Sequence, residues 1–470
     1  MTPPACPPAP APVRFPARAA WGPSALGRPP ALPSLRFLVL ALSLLVCACA
    51  KSGGDYTGPA CLDVITLPQD LSVYAGAASA RPLVAHEAQT AAAARQKEIF
   101  YGPWRRTRPT PGLRAQLRGD FNMRPEPGYI DGHSRFPAEL WRELKENGNE
   151  PAFGQNAGPG ITLRDTDMRA MPSARPYYLR PDLPGEGYPF DYFQLTSLPP
   201  GTPIYISNVS RDGAWMLAEC PAASGWLPTK DVARVDEPFM REWQSLPLAA
   251  VLRDKTRIGE SEVGIGALLP IAGEREAGIS LYYPVTSGEG KAEKVRRALP
   301  AGAAAPVPLR LDAANVARIG NGMTGQAYTW GGLDGGRDCS ALTRDLFAPF
   351  GIWLPRNSAS QAGAGNSIAG LSAGQKKEAI RSAPPFRTLL WLRGHIALYL
   401  GEYRGRGLIF HNIWGLRTKD ASGGCEGRAV IGRAVVTSLE PGLERPDLCP
   451  PGTILERMEK ILILPAPGQD

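Results

Sequence analysis

The chain has 470 residues, of which 43% are hydrophobic and 20% are charged, and its formal net charge is +8. This length leaves room for roughly two to four domains of ordinary globular composition, each able to bury a core. The basic residues are scattered and form no stripe with interleaved aromatic side chains, so we expect no nucleic-acid partner.

Residues 1–48 are predicted to be a secretory signal. They contain no acidic residue and end in an apolar run of about 12 residues, whereas a membrane-spanning helix needs about 20. The part before Phe37 is long for a signal, so a later translation start is an open alternative. Removal of the region, with its four arginines, lowers the formal charge from +8 to +4.

The residues at 46–49, Val-Cys-Ala-Cys, resemble the lipobox of bacterial lipoproteins, in which the last cysteine carries lipid. The resemblance implies lipidation of Cys49 and an exported protein anchored to a membrane, facing the periplasm or the cell wall. A cleaved signal without lipid is the alternative.

The cysteine count agrees with export. Two of the eight cysteines leave with the signal and Cys49 would carry lipid, so five remain: Cys61, Cys220, Cys339, Cys425 and Cys449. An odd number in an oxidising compartment allows up to two disulfides and one free thiol. We favour Cys425 with Cys449, which flank a Gly/Pro-rich excursion, although the sequence leaves the connectivity open.

Residues 49–160 are predicted to be a clip that wraps over the rest of the protein. Composition favours helices over 86–100 and 137–148, the second ending at a glycine. The Pro-, Arg- and Gly-rich stretch 102–130 between them is typical of extended chain.

From residue 161 the sequence changes to short strand-like segments separated by turn residues, which predicts a small β-barrel over 161–235. Arg169-Ala-Met-Pro, Asp212-Gly-Ala-Trp and Gly225-Trp resemble a bacterial SH3 domain, and 174–194 would be its large first loop. Residues 245–304 resemble a second, weaker copy.

Residues 305–465 are predicted to form an α+β module. The segment 308–327 favours a helix pair, an amphipathic helix opens at Asp338-Cys339-Ser340, and five strand-like segments follow between 388 and 464. Helices followed by strands around a cysteine-led helix give the layout of a cysteine peptidase.

Cys339 is the predicted nucleophile. A helix N-terminus carries partial positive charge, which favours thiolate over thiol. Two histidines follow, His395 and His411, in neighbouring predicted strands; His395 would be the base and His411 would orient it. A symmetric hairpin would pair His395 nearer Leu416, so a bulge or a longer loop is needed. A small buried structural cysteine is one alternative, and a zinc site of the same three residues is another.

The segments YTWGGLDGGRDCSAL, GHIALYLG and FHNIW resemble the NlpC family of papain-like bacterial cell-wall cysteine peptidases. The upstream segments are similar to the variant with an N-terminal clip and two SH3-like domains. The fold class implied is α+β: a papain-like peptidase domain preceded by two small SH3-like β-barrels and an irregular helical segment.

This resemblance implies hydrolysis of the γ-D-glutamyl–diaminopimelate bond in peptidoglycan stem peptides, without metal or cofactor, by a monomer. It implies that Tyr328 helps the oxyanion and that Asp338 and Ser340 bind the free amine of an N-terminal L-Ala. Asp191 or Glu186, from the long loop, would add a second carboxylate. Two alternatives remain at this point: a catalytically silent wall-binding lipoprotein, and the same fold acting as an acyltransferase or amidase.

Overall fold

A computed structural model describes residues 59–76, 79–118, 128–183, 185–275 and 278–466 of the chain. The predicted signal and Cys49 lie outside these ranges, as does the start of the predicted clip. None of the helices within these ranges is long and apolar enough to cross a membrane.

The N-terminal segment, 59–152, is helical with irregular connections. Its helices are α1 (Asp63–Thr66), α2 (Ser72–Ala75), α3 (His86–Phe100), α4 (Pro111–Arg118) and α5 (Ala138–Asn147). The predicted helices over 86–100 and 137–148 are confirmed as α3 and α5. The segment lies against the C-terminal part of the chain: the Asp63 carboxylate accepts hydrogen bonds from Arg406 and Ser438, and Gln89 donates to the carbonyls of Leu309 and Phe350.

The first β-module, 158–234, is one antiparallel sheet with the strand order β3-β2-β6-β5-β4-β1-β7. Its strands are β1 (Gly158–Thr162), β2 (Thr166–Arg169), β3 (Gln194–Leu198), β4 (Pro203–Val209), β5 (Trp215–Glu219), β6 (Ser224–Pro228) and β7 (Val232–Arg234). Alternate residues of these strands, including Met168, Ile204, Ile206 and Leu227, fill its core. The long loop between β2 and β3 extends towards the C-terminal module.

The second β-module, 248–306, follows helix α6 (Glu237–Ser245). A five-stranded sheet, in the order β13-β12-β11-β8-β14, is accompanied by the ribbon β9–β10. The strands are β8 (Leu248–Val251), β9 (Thr256–Ile258), β10 (Ser261–Val263), β11 (Leu268–Arg275), β12 (Gly278–Thr286), β13 (Ala292–Pro300) and β14 (Ala304–Pro306). Its core includes Phe100 of α3 and Trp243 of α6, so the N-terminal segment is part of the packing.

The C-terminal module, 313–463, packs helices on both faces of an antiparallel sheet with the order β15-β20-β16-β17-β18-β19. Its helices are α7 (Ala313–Asn321), α8 (Cys339–Phe347), α9 (Ser358–Gln361), α10 (Ala373–Arg381) and α11 (Ile454–Arg457). Its strands are β15 (Asn366–Ser367), β16 (Thr388–Leu392), β17 (His395–Tyr403), β18 (Arg406–Thr418), β19 (Gly427–Ser438) and β20 (Lys460–Ile463). The predicted α+β class is confirmed.

The sheet of this module is buried on both sides because β17 is apolar on both faces. Ile396 and Leu398 pack towards α8, and Ala397 and Tyr399 pack on the other side with Ile380 of α10. The predicted helix pair over 308–327 is wrong: α7 is a single helix, and a turn follows it.

Candidate active site

Cys339 is the first residue of α8. Asp338 is the N-cap, and its side chain accepts a hydrogen bond from the backbone N–H of Ala341 at 2.8 Å. An aspartate in this position satisfies one of the N–H groups that a helix start leaves unpaired. The thiol is 7% exposed and interacts with the backbone N–H groups of Ser340 and Ile396. The sulfur therefore lies beside β17, one residue from His395.

The glycines before Cys339 allow the chain to pass closely against its neighbours. Gly331 has a φ of 65°, and a Cβ atom there would lie 2.5 Å from the side chain of Gln194 in the first β-module. Gly336 is similarly close to Thr329. Close approach at these two positions requires glycine, because only glycine has no Cβ to collide.

His395 and His411 are brought together by the β17–β18 hairpin. Tyr399 pairs with Ile409 but Gly401 pairs with Leu408, so β17 contains a bulge between Tyr399 and Gly401. This is the irregularity that the hairpin needed. The ring atoms His395 Nε2 and His411 Nδ1 are 2.8 Å apart.

Thr437 on β19 fixes which ring nitrogens carry protons. Its hydroxyl donates to the backbone carbonyl of Ser438 at 2.9 Å, and its Oγ1 is 3.1 Å from His411 Nε2. Because that hydroxyl proton is already used, Thr437 accepts from His411 Nε2–H, and His411 Nδ1 then accepts from His395 Nε2–H. Nδ1 of His395 is therefore the nitrogen without a proton, and it can take one up as a base.

Burial sets the resting protonation of this group. Burial, with a contribution from Asp338, raises the pKa of the Cys339 thiol to about 12, against the lowering effect of the two backbone N–H groups. Burial, together with the charge of Arg457, lowers the pKa of His395 to about 4, and burial lowers the pKa of His411 well below its usual value. These shifts favour a neutral thiol and a neutral imidazole at rest, in contrast to the expected thiolate, because desolvation outweighs the helix N-terminus.

Three segments of the chain match known protein families. Residues 325–423 match the NlpC/P60 family, residues 38–153 match the N-terminal NlpC/P60 stabilising domain, and residues 176–228 match an SH3 domain of the SH3b1 type. The chain therefore contains an NlpC/P60 domain and is a cysteine peptidase. The stabilising domain falls in the N-terminal segment and the SH3 match falls in the first β-module.

One solved structure supports this assignment, and a second is similar over part of the chain. An NlpC/P60 endopeptidase from Photobacterium damselae subsp. piscicida is 26% identical, with a TM-score of 0.72 over 83% of this chain and 93% of its own. An NlpC/P60 family protein from Bacillus cereus is 17% identical, with a TM-score of 0.42 over 65% of this chain and 98% of its own. No curated protein matches the chain. The alternative of a catalytically silent protein is set aside.

In this cysteine peptidase, Tyr328 lies in an aromatic wall beside the nucleophile. Burial raises the pKa of Tyr328 well above its usual value, and the nearby Cys339 and Asp338 add to the effect, so the phenol stays a hydrogen-bond donor. Phe190, from the long loop of the first β-module, contacts Tyr328, Trp330 and Trp414, with centroid separations of 6.2, 5.2 and 5.7 Å. The first β-module therefore forms one side of the cleft.

Asp338 is not a free carboxylate. Arg356 donates to both of its oxygens, at 3.1 and 2.6 Å, and also to Ser340 Oγ at 3.0 Å. Burial opposes the charge of Asp338, but the Arg356 guanidinium outweighs burial and holds the pKa of the carboxyl below its usual value. The pair is electrically balanced, so Asp338 can accept one further hydrogen bond at Oδ2 but does not by itself neutralise a substrate amine.

Asp191 is turned into the first β-module. Its carboxylate is paired with Arg169 at 2.7 Å and accepts hydrogen bonds from the backbone N–H groups of Tyr177 and Phe193, both at 2.9 Å. It is 3% exposed. This arrangement holds the long loop in shape and contradicts the prediction that Asp191 binds substrate.

Glu186, the alternative from the same loop, is half-buried and lies near Tyr192, whose pKa is raised by burial and by the Glu186 charge. The Tyr192 ring is 5.8 Å from that of Trp330. Glu186 is therefore the carboxylate of the loop that borders the aromatic wall.

Sequence reasoning missed Arg356 and Thr437. Arg356 lies 16 residues after Ser340 in a loop, and Thr437 is one residue of an apolar strand; neither carries a local signal of its role. Among the described residues, no group of three His, Cys, Asp or Glu side chains is arranged to hold a metal ion. Both ring nitrogens of His411 are hydrogen-bonded within the protein, which gives the zinc alternative no support.

Proposed function

We propose that this peptidase hydrolyses the γ-D-glutamyl–diaminopimelate bond of peptidoglycan stem peptides that have a free N-terminal L-Ala. The observation that carries the proposal is the hydrogen-bonded line from Thr437 through His411 to His395, which ends beside Cys339. The SH3 match in the first β-module and the family of the C-terminal module support peptidoglycan as the substrate.

In the first half-reaction, Cys339 Sγ attacks the γ-carbonyl carbon of D-Glu and its proton passes to His395 Nδ1. The carbonyl oxygen becomes an oxyanion, for which the Tyr328 hydroxyl and the backbone N–H groups at the start of α8 are the donors. The C–N bond then breaks, and His395 gives its proton to the leaving α-amine of diaminopimelate.

In the second half-reaction, water attacks the thioester that joins Cys339 to the D-Glu half. His395 takes a proton from this water, and the sulfur leaves and is reprotonated as the D-Glu γ-carboxylate is released. His411 holds the His395 ring in place and stabilises the imidazolium by accepting from Nε2–H, in the role of the third member of a triad.

The free amine of L-Ala would bind between two carboxylates. Asp338 Oδ2 keeps capacity for one more hydrogen bond. Because Arg356 cancels the charge of Asp338, Glu186 supplies the negative charge for the ammonium group. A charge-assisted hydrogen bond from an ammonium group is of the strong kind. We therefore replace Asp191 with Glu186 as the loop carboxylate of this subsite.

The test compares L-Ala-γ-D-Glu-diaminopimelate with its N-acetyl form on the purified protein. We expect cleavage of the free peptide and a loss of at least about tenfold in kcat/KM on acetylation, because the ammonium charge is removed. Cys339→Ala should release no diaminopimelate, and Glu186→Gln should reduce the preference for the free amine. Release of diaminopimelate by Cys339→Ala would refute the assignment of the nucleophile.

We also propose that the protein works outside the cytoplasm as a lipoprotein anchored through Cys49. The disulfide between Cys425 and Cys449, whose Cα atoms are 5.6 Å apart, supports an oxidising compartment and is the pair favoured from the sequence. Metabolic labelling with a fatty acid should mark the wild type but not Cys49→Ser. Equal labelling of both would exclude Cys49 as the attachment site.

A further inference from the structure

Three arginines lie together at the end of the sheet near the catalytic histidine. Arg417 on β18 is directly opposite Arg428 on β19, and Arg457 is the last residue of α11. The group is named the arginine cluster below. The charges of Arg417 and Arg457 act on Arg428, so all three guanidinium groups are close.

No carboxylate among the described residues forms a direct ion pair with the arginine cluster. Nη1 of Arg428 is buried without a hydrogen-bond partner, and none of the three arginines is in a salt bridge there. Arg417 donates to the backbone carbonyl of Cys425 at 3.2 Å, and Glu459 is the carboxylate whose charge acts on Arg457. Burial, followed by the other two charges, lowers the pKa of Arg428 to about 10.

Such an arrangement is costly in the free protein, because like charges repel and the half-buried Arg428 guanidinium loses part of its hydration. The hairpin end that carries it is nevertheless held rigidly. The Cys425–Cys449 disulfide closes it, and the backbone of Cys449 donates to the Arg417 carbonyl at 3.1 Å. A rigid group of unpaired arginines is suited to an anion, and its planar donors match a carboxylate with two parallel hydrogen bonds.

The position of the cluster indicates which half of the substrate it meets. The charge of Arg457 acts on His395, which gives a proton to the leaving amine in the proposed reaction. The group bonded to that amine must therefore lie on the His395 side of the cleft. Arg428 also borders the long loop of the first β-module, since its Nη2 lies 4.0 Å from where a Cβ of Gly185 would be.

We propose that the arginine cluster is the subsite for the side-chain carboxylate of the leaving diamino acid. This rests on the proposed function and deepens it: the enzyme would select diaminopimelate, which has this carboxylate, over lysine, which lacks it. The Arg428 guanidinium supplies the unsatisfied donor, and Arg417 and Arg457 add charge around it.

The experiment measures kcat/KM for three tripeptides with a free L-Ala amine. Their third residue is meso-diaminopimelate, the same residue with its side-chain carboxylate converted to a carboxamide, or L-lysine. For the wild type, we expect amidation to lower kcat/KM at least about tenfold, and the lysine peptide to be cleaved no better than the amidated one. In both cases Arg428 loses its charged partner and keeps a donor without an acceptor.

In Arg428→Met, kcat/KM should fall for the diaminopimelate peptide alone, so that this discrimination is lost. Arg428→Lys should recover part of it. Arg457→Met is a second variant of the cluster with the same expected outcome. Arg404→Met, at the exposed turn at the opposite end of β17, is the matched control and should keep the wild-type selectivity.

The outcomes separate the two proposals. If the wild type cleaves none of the three peptides, the proposed function fails. If it cleaves the free and amidated peptides equally, the function stands and the subsite is refuted. The cluster could instead bind the phosphates of wall polymers. Arg428→Met would then keep the wild-type tripeptide selectivity but be retained less on intact cell walls, and this outcome would also refute the carboxylate subsite.

Discussion

His395 Nε2 and His411 Nδ1 face each other at 2.8 Å across a bulged hairpin, and Thr437 Oγ1 is 3.1 Å from the other nitrogen of His411. The pair is therefore a directed hydrogen bond in which His395 donates. The proposed role of His395 as the general base follows from the direction of this hydrogen bond, because it leaves Nδ1 of His395 free to take a proton.

Replacement of His411 should lower kcat with little change in KM. His411→Ala removes the acceptor for His395 Nε2–H, so the ring can rotate or adopt the other tautomer, and we expect a loss of about 10²–10⁴-fold in kcat. His411→Asn places an amide oxygen near the position of Nδ1 and should retain more activity. Steady-state kinetics on the tripeptide test this, and equal losses in both variants would contradict an orienting role.

Thr437 should act through His411 rather than on the substrate. Thr437→Val leaves the buried His411 Nε2–H without an acceptor, at a cost of about 1–3 kcal/mol. We expect kcat to fall about tenfold with KM unchanged, and Thr437→Ser to restore it. Nitrogen NMR of the imidazoles provides a second readout: the valine variant should show a mixture of His411 tautomers, and a single unchanged tautomer would argue against the role.

The local patterns of the sequence were sufficient for the helix at Cys339 and for the strands that carry both histidines. The Asp338 N-cap and the alternation of Ile396, Leu398 and Leu400 are signals that lie within a few residues of the feature they predict. Helix α10 had such a signal too, because Ser372 and Gln375 form a capping box. That signal was overlooked.

What could not be predicted depends on contacts between distant parts of the chain. The role of Asp191, in the long loop, was misjudged because its partner, Arg169, lies on β2 and takes the charge that a substrate amine would have needed. Asp338 is likewise balanced by Arg356, which approaches from a loop. The register that joins His395 to His411 depends on one bulge beside Gly401, which has a φ of 100°. A glycine inside a strand indicates a bulge but not the register that follows from it.

Arg337 should be a major source of stability, because it joins the second β-module to α8. Its guanidinium donates to Asp254 at 2.7 Å and to Asp345 at 2.8 Å, and it is 3% exposed. Arg337→Met leaves Asp254 without its ion-pair partner and Asp345 with Arg344 alone, and loss of one member of a buried ion pair costs about 3–5 kcal/mol. Urea unfolding should show this loss.

The control for Arg337 is Arg241→Met, which breaks an exposed pair with Glu237. Exposed pairs contribute little because water and salt screen them, so this variant should unfold almost as the wild type does. If Arg337→Met were equally harmless, the connection between the second β-module and the catalytic helix would not depend on this ion-pair network.

Asp165 should make the folded protein less stable as the pH rises. Burial, with the charges of Asp345 and Asp167, raises the pKa of Asp165 from 3.8 to about 7. The folded state therefore keeps a proton that the unfolded state has lost, so stability is fully present below about pH 4 for this group and declines as the pH rises towards 7. Asp165→Asn should remove this contribution and stabilise the protein at pH 8 by about 2–4 kcal/mol.

The measurement is the urea midpoint of wild type and Asp165→Asn between pH 5 and 8, with Glu293→Gln on exposed strand β13 as the control for loss of one negative charge. The two curves should lie closest at pH 5, separate up to about pH 7, and run parallel above it, where Asp165 is ionised in both the folded and the unfolded state. Since Gly335 lies next to Asp165, with a Cβ there 3.9 Å from Oδ2, the ionised carboxylate would act on the loop that precedes Cys339. A wild-type curve that runs parallel to that of Asp165→Asn over the whole pH range would mean that Asp165 is ionised throughout and that Arg337 compensates it fully.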